Sequence, residues 1–319
     1  MPQPSSSANR MRWFAVAVAI AVAIFSARHA RASDLPAGTG MAATPQHFSV
    51  EVTGQGPDVI LIPGLATPRD VWRPTAEALK AQYRVHLIQI RGFGEPAGAN
   101  GEGPVIAPFV EELAAYIGKN QLNRPAVIGH SLGGLSALML ASRHPGAAGR
   151  IMVVDALPFF GVIIDRAATA ESIRPQAEAM KQAMLAAAAQ MKGFSERDCS
   201  AVTGEATAGP PWSMSAKGMC QIGNWSLRSD PQVTANAMLE DATTDLRADL
   251  PRITVPLTVL YAADIRFQPL EAYAALYAAN YAGAKQARLV PVIASRHFTM
   301  IDQPDATVAA IRSFLAAQP

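Results

Sequence analysis

The sequence predicts an α/β fold built on a mostly parallel, doubly wound sheet, and three observations carry that prediction. From Gln46 to Leu157, short runs rich in Val, Ile and Leu alternate with stretches of helical periodicity. The rhythm breaks at Pro158 and resumes with "PLTVLYAAD" at 256, so two portions of one sheet flank a long helical insertion. The strand-like runs are almost continuously apolar, as strands buried on both faces must be.

Element by element, "HFSVEVT" (47–53) and "DVILIP" (58–63) read as strands parted by the turn "GQGP". "VWRPTAEALKAQ" is a helix, "RVHLIQI" (84–90) a strand and "APFVEELAAYIGK" an amphipathic helix. "PAVIGH" gives the next strand and "LGGLSALMLASRH" a helix that Pro145 ends, before the strand "GRIMVVDA". Residues 158–250 then carry helical stretches at 168–192 and 231–249, joined by the Gly/Pro/Ser-rich piece "TGEATAGPPWSMSAKGMC". "FFGVII" within this region reads as either strand or helix. After it come the strand "PLTVLYAAD", a helix over 269–282, the strand "ARLVPVI" and a closing helix over 305–317.

The N-terminal stretch has the layout of a secretory signal peptide. Arg10 and Arg12 precede an unbroken apolar run, Trp13 to Phe25, which is shorter than the roughly 20 residues that span a bilayer. Ala30-Arg31-Ala32 supplies a cleavage site, so residues 1–32 are expected to leave and the protein to be exported, to a periplasm or outside the cell; an uncleaved anchor is the alternative. Four arginines and no acid lie in that segment, so the net charge of +2 falls to −2 without it. Such a chain has no charge surplus with which to hold nucleic acid, and no other apolar run is long enough to cross a membrane. Cys199 and Cys220 are the only cysteines; in an oxidising compartment a disulfide is favoured over two free buried thiols, and without histidine partners they do not suggest a metal site.

The chemistry concentrates at "GHSLGG". Ser131 lies between a buried strand and a helix, in a Gly-x-Ser-x-Gly context. A serine on so sharp a strand-to-helix turn leaves room only for very small neighbours two positions either side, and Gly129 and Gly133 meet that need. A serine hydroxyl needs a base. Among the six histidines, His29 leaves with the signal, and His47, His86 and His144 lie elsewhere in the fold. His130, one position back on the turn, points away from the serine. His297, in "VIASRHFTMIDQP" just beyond the last strand, falls on the sheet edge that carries Ser131. The acid that orients this base is expected at the same edge: Asp264, after "PLTVLYAA", fits the chain order Ser, Asp, His, and Asp155, ending "RIMVVD", is the rival.

With these residues in place the chain resembles the α/β-hydrolase fold family over nearly all of its length beyond the signal. "LIPGLATPRDVW" is similar to the family's oxyanion loop, "IQIRGFGEP" to its loop after the next strand, "YAADIRFQP" to its acid turn and "SRHFTMIDQP" to its histidine loop. The resemblance implies a serine hydrolase with Ser131 as nucleophile, His297 as base, Asp264 as acid and the backbone N–H groups of Leu65 and Leu132 as oxyanion donors. It also implies that residues 158–250 form a helical lid inserted after the sixth strand. Two residues depart from the common pattern: Pro63 stands where many members have His, and Gln89 where many have Asp. The expected substrate is a small, largely apolar acyl compound, an ester or lactone, because Phe159, Met180, Met184, Trp212 and Trp225 populate the insertion. No metal or organic cofactor is called for. The runner-up readings keep the fold but cleave another bond (carbon–carbon, an N-terminal proline peptide, or perhydrolase chemistry), or lose catalysis and bind a ligand.

Overall fold

The computed structural model describes residues 45–206 and 212–317; the export segment inferred at 1–32 lies outside them. Seven strands, β1 (Phe48–Thr53), β2 (Asp58–Ile62), β3 (Arg84–Ile90), β4 (Ala126–His130), β5 (Arg150–Val154), β6 (Leu257–Ala263) and β7 (Ala287–Ile293), form one sheet. Their spatial order is β1, β3, β2, β4, β5, β6, β7. β1 pairs antiparallel with β3, Phe48 opposite Ile90, and the remaining pairings are parallel.

Strict alternation along the strands divides the core between the two faces. Ile60 and Ile62 of β2, Ile88 and Ile90 of β3 and Ile151 and Val153 of β5 pack on one side. There they meet α2 (Ile106–Lys119), which buries Phe109, Val110, Leu113 and Ile117, and α3 (Leu132–Arg143). Val59, Leu61, Val85, Leu87 and Met152 face the opposite way. On that side Trp72, Leu79 of α1 (Arg73–Leu79), and Ile311 and Phe314 near the C-terminus cover them. The strands are therefore apolar at consecutive positions because each face has its own helical layer.

Four helices lie between β5 and β6: α4 (Gly161–Ile164), α5 (Arg174–Gln190), α6 (Ala216–Arg228) and α7 (Pro231–Thr243). The insertion thus follows the fifth described strand and not the sixth. "FFGVII" resolves as the short helix α4, since Gly161 has Phe159 folded closely beneath it and the chain turns there. α7 stops at Thr243, six residues before the end expected from periodicity, because Thr244 is already extended. Its start was legible: Asp230 accepts from the N–H groups of Gln232 and Val233, with Pro231 in the first turn. α6 was hidden in what reads as a Gly/Pro/Ser-rich linker, although Ser215 marks its beginning by accepting from the Gly218 N–H at 2.8 Å. The sheet closes with α8 (Leu270–Asn280), α9 (Thr299–Asp302) and α10 (Pro304–Ala316).

Cys199 and Cys220 form a disulfide, 21 residues apart in sequence, that ties the chain ahead of α6 to α6 itself. Closing a loop of that length restricts the unfolded chain by about 3 kcal/mol. Reduction is accordingly expected to lower the urea midpoint of the protein, or of the insertion where it melts separately, and an unchanged midpoint would show that the bridge does not constrain the unfolded chain.

Candidate active site

Ser131 occupies the single residue between β4 and α3, with φ 53° and ψ −126°. A side chain held there costs of order 1–3 kcal/mol, and its surroundings leave it no alternative. The Ser131 N–H donates to the Val154 carbonyl at 2.9 Å, while its own carbonyl accepts from Gly134 and Leu135. A Cβ on Gly133 would lie 2.6 Å from the carbonyl oxygens of Ile62 and Pro63, and one on Gly129 would run into the backbone of Gly133. The two glycines are thus required by close backbone approach. Three other residues at this edge also have positive φ: Ala66 (50°), Asp155 (49°) and Ala294 (54°).

His297, 22 % exposed, lies in the loop between β7 and α9. Its Nδ1 is 2.7 Å from Asp155 Oδ2, so Asp155, and not Asp264, is the acid that faces the imidazole. Burial alone would raise the Asp155 carboxyl, but its hydrogen bond to His297, that group's charge, the Ala262 N–H and the Tyr277 hydroxyl together hold it below the usual aspartate range. An ionised carboxylate only accepts, so the proton sits on His297 Nδ1 and leaves Nε2 free to act as a base. Oδ1 of Asp155 accepts from Ala262 at 2.8 Å and from Tyr277 at 2.9 Å, and these bonds fix the carboxylate plane.

Asp264 has another occupation. It lies at the end of β6 and accepts from Arg266 at 3.0 Å and Arg296 at 3.2 Å, which saturate both oxygens. The arginine bonds hold its carboxyl down against burial. A signal for this was present in the sequence: arginines stand two positions after Asp264 and one before His297, where both can reach the carboxylate. Asp155 directly follows β5, which neighbours β4 in the sheet, so the acid and Ser131 stand at the ends of adjacent strands.

His130 braces the histidine loop. The ring is fully buried, and its Nε2–H donates to the His297 carbonyl at 3.0 Å. The two histidine rings lie 4.6 Å apart, with Phe298 4.7 Å from His130. Burial first, and then the charge of His297, push the His130 imidazole down to about 3, so it stays neutral.

The loop after β2 reaches the serine. A Cβ on Gly64 would lie 3.0 Å from Ser131 Cβ, so Leu65 follows beside Ser131. Neither the Leu65 nor the Leu132 N–H has an acceptor among the described residues. Leu132 opens a 12-residue helix, whose dipole favours negative charge at that end. Gln89 explains one departure from the family pattern. Its Oε1 accepts from the Arg69 N–H at 2.9 Å while its amide donates to the Phe93 carbonyl, so it joins the loops after β2 and β3. An aspartate could accept but not donate.

The insertion is bonded to the histidine loop. Phe298 N–H donates to the Trp212 carbonyl, and Asp302 accepts from Ser213, from Met214 and, on its own loop, from Arg296. The Trp212 ring stands 5.5 Å from that of His297.

A strained serine between strand and helix, a carboxylate-held histidine and two free N–H groups on one sheet edge define a hydrolase of the α/β type. Residues 59–310 match the model of the alpha/beta hydrolase family, and the chain belongs to that family. A pimeloyl-[acyl-carrier protein] methyl ester esterase of Aeromonas hydrophila is 39% identical over 112 residues, covering 35% of this chain and 42% of that protein. The chain thus spans about two fifths of the length of that relative. The enzyme of the same name from Vibrio vulnificus strain CMCP6 is 26% identical over 68% of this chain and 79% of its own length. Among solved structures, an enol-lactonase from Burkholderia xenovorans LB400 superposes with a TM-score of 0.65 at 22% identity, covering 86% of this chain and 99% of that one. At that identity the likeness bears on the fold.

Proposed function

We propose that the protein is an exported serine hydrolase that cleaves a carboxylic ester or lactone through an acyl-enzyme. The observation that carries this reading is the 2.7 Å bond from His297 to Asp155 on the edge where Ser131 is held in its strained turn. His297 Nε2 takes the Ser131 proton as the hydroxyl attacks the acyl carbon, and Asp155 stabilises the imidazolium. The N–H groups of Leu65 and Leu132 receive the oxyanion; a single such donor is worth about 2.7–4 kcal/mol in other enzymes. The alcohol leaves with the proton from His297, and water, activated by the same imidazole, releases the acid. The esterase relatives support an ester as the bond, and the disulfide together with the N-terminal segment supports export. The insertion, bonded to the histidine loop, acts as a lid over the cleft.

The test is labelling by a fluorophosphonate, combined with hydrolysis of a p-nitrophenyl ester series from acetate to dodecanoate. Wild type is expected to label and to hydrolyse with an optimum chain length, and Ser131→Ala to do neither. Labelling without ester hydrolysis would move the activity to another bond, and absence of both would leave a ligand-binding protein. Sequencing the N-terminus of protein secreted or released from the periplasm should find Ser33 first; an intact residue 1 would replace cleavage by an uncleaved segment, and absence of the protein from both fractions would remove the export reading.

A further inference from the structure

Along α7, Thr234, Met238 and Asp241 follow one another at spacings of four and three, which places them on one stripe of the helix. Met238 packs in the apolar cluster that Leu65 of the oxyanion loop also joins, so this stripe faces the catalytic edge. One turn further, Asp241 is 9 % exposed; no hydrogen bond or ion pair to its carboxyl occurs among the described residues, and its oxygens keep a narrow opening to solvent. Its neighbour Glu240 shows what a structural acid looks like here, since its two oxygens accept from the N–H groups of Val105 and Ile106 at the start of α2. Two turns back on the stripe, the Thr234 hydroxyl is fully buried without a partner.

No structural task accounts for Asp241. It stands near the C-terminal end of α7, where the helix dipole disfavours negative charge, so it is not a cap. Burial pushes its carboxyl up to about 7, with His297 near enough that its charge pulls the other way and Glu240 adding to the rise. A buried acid with no partner lowers stability unless something that binds there offsets the loss. An ammonium group supplies both the opposite charge and several donors, which no neutral group does.

We propose that Asp241 is a specificity-determining residue that receives an ammonium group carried by the ester substrate. The inference rests on the serine-hydrolase reading above and replaces the expectation of a wholly apolar substrate. Trp212 presents an aromatic ring 5.5 Å from that of His297, and a cation held near the base is attracted to such a face.

Matched ester pairs test it: ethyl 6-aminohexanoate against ethyl heptanoate on the acyl side, and 6-aminohexyl butyrate against heptyl butyrate on the alcohol side. In at least one pair the wild type is expected to favour the cationic member by tenfold or more in kcat/KM, largely through KM. Asp241→Asn is expected to bring that ratio to within twofold of one. A residue that merely supports the fold would lower both members alike and leave the ratio standing. As a readout free of any variant, hexylammonium should inhibit wild-type hydrolysis of ethyl heptanoate at concentrations tenfold below those of hexanol. An active wild type with no preference in either pair, a preference that survives Asp241→Asn, or equal inhibition by amine and alcohol would overturn the proposal. Inactivity on all four esters, together with no fluorophosphonate labelling of Ser131, would instead overturn the serine-hydrolase reading beneath it.

Discussion

Asp155→Asn is expected to lower kcat by about 10⁴-fold while the protein stays folded, and Asp264→Asn to leave kcat within a few-fold of wild type. The asymmetry follows from which proton each side chain controls. In wild type the Asp155 carboxylate can only accept, so it forces the proton onto His297 Nδ1 and leaves Nε2 basic. An asparagine amide in its place offers a donor toward Nδ1, which stabilises the tautomer with the proton on Nε2 and removes the base from the serine. It also removes the charge that steadies the imidazolium. The bonds from Ala262 and Tyr277 still have a carbonyl oxygen to meet, so the geometry has reason to persist. At Asp264 the substitution weakens three charge-assisted bonds, two from Arg266 and one from Arg296, and touches His297 only through the loop that Arg296 anchors. Its cost should appear as a lower thermal midpoint. Parallel kcat and melting measurements on the two variants decide the matter. If Asp264→Asn is the one that loses kcat by three orders or more, the acid has been misplaced.

That contrast marks where the sequence stopped being informative. The sheet, its mostly parallel order and the serine turn were legible because each depends on neighbours in the chain: strand periodicity, the two glycines and the helix start after Ser131. His297 could be placed because the edge of a parallel sheet is fixed by strand direction. The choice between Asp155 and Asp264 is different in kind, since both end strands on the same edge. It is settled by the ring orientation of His297 and by two arginines drawn to Asp264 from separate loops. α6 was missed for a related reason: glycines and serines that suggest a linker are tolerated in a helix held by the disulfide and by burial of Ile222 and Trp225. Asp241 lay on an expected helix but could not be singled out, because only the packed structure shows that the residue is nine-tenths buried.

His130→Gln is expected to change the pH dependence of stability more than the stability at pH 7. The glutamine amide can still donate to the His297 carbonyl, so the bond that braces the histidine loop is retained in kind. Only the ionisable group disappears. In wild type the buried imidazole titrates at about 3, against 6.5 when exposed, so below 6.5 the unfolded chain takes up a proton that the folded one refuses. The stability from His130 is complete above pH 6.5 and falls as the pH drops toward 3, at a slope approaching about 1.4 kcal/mol per pH unit. Between pH 6.5 and 5 the loss amounts to about 1.5–2 kcal/mol. Asp241 works in the opposite direction over the same window. Its folded pKa, about 7, lies above the value of an exposed aspartate, so the folded state holds the extra proton and gains stability as the pH falls. In wild type the contributions of these two groups nearly cancel each other. Without His130, the slope of Asp241 is no longer opposed by that imidazole, and the variant should gain stability relative to wild type on acidification. Urea titrations of both proteins at pH 6.5, 5.75 and 5 read the difference directly. Parallel profiles would mean that the folded protein admits a proton to His130, and with it water to the floor beneath His297.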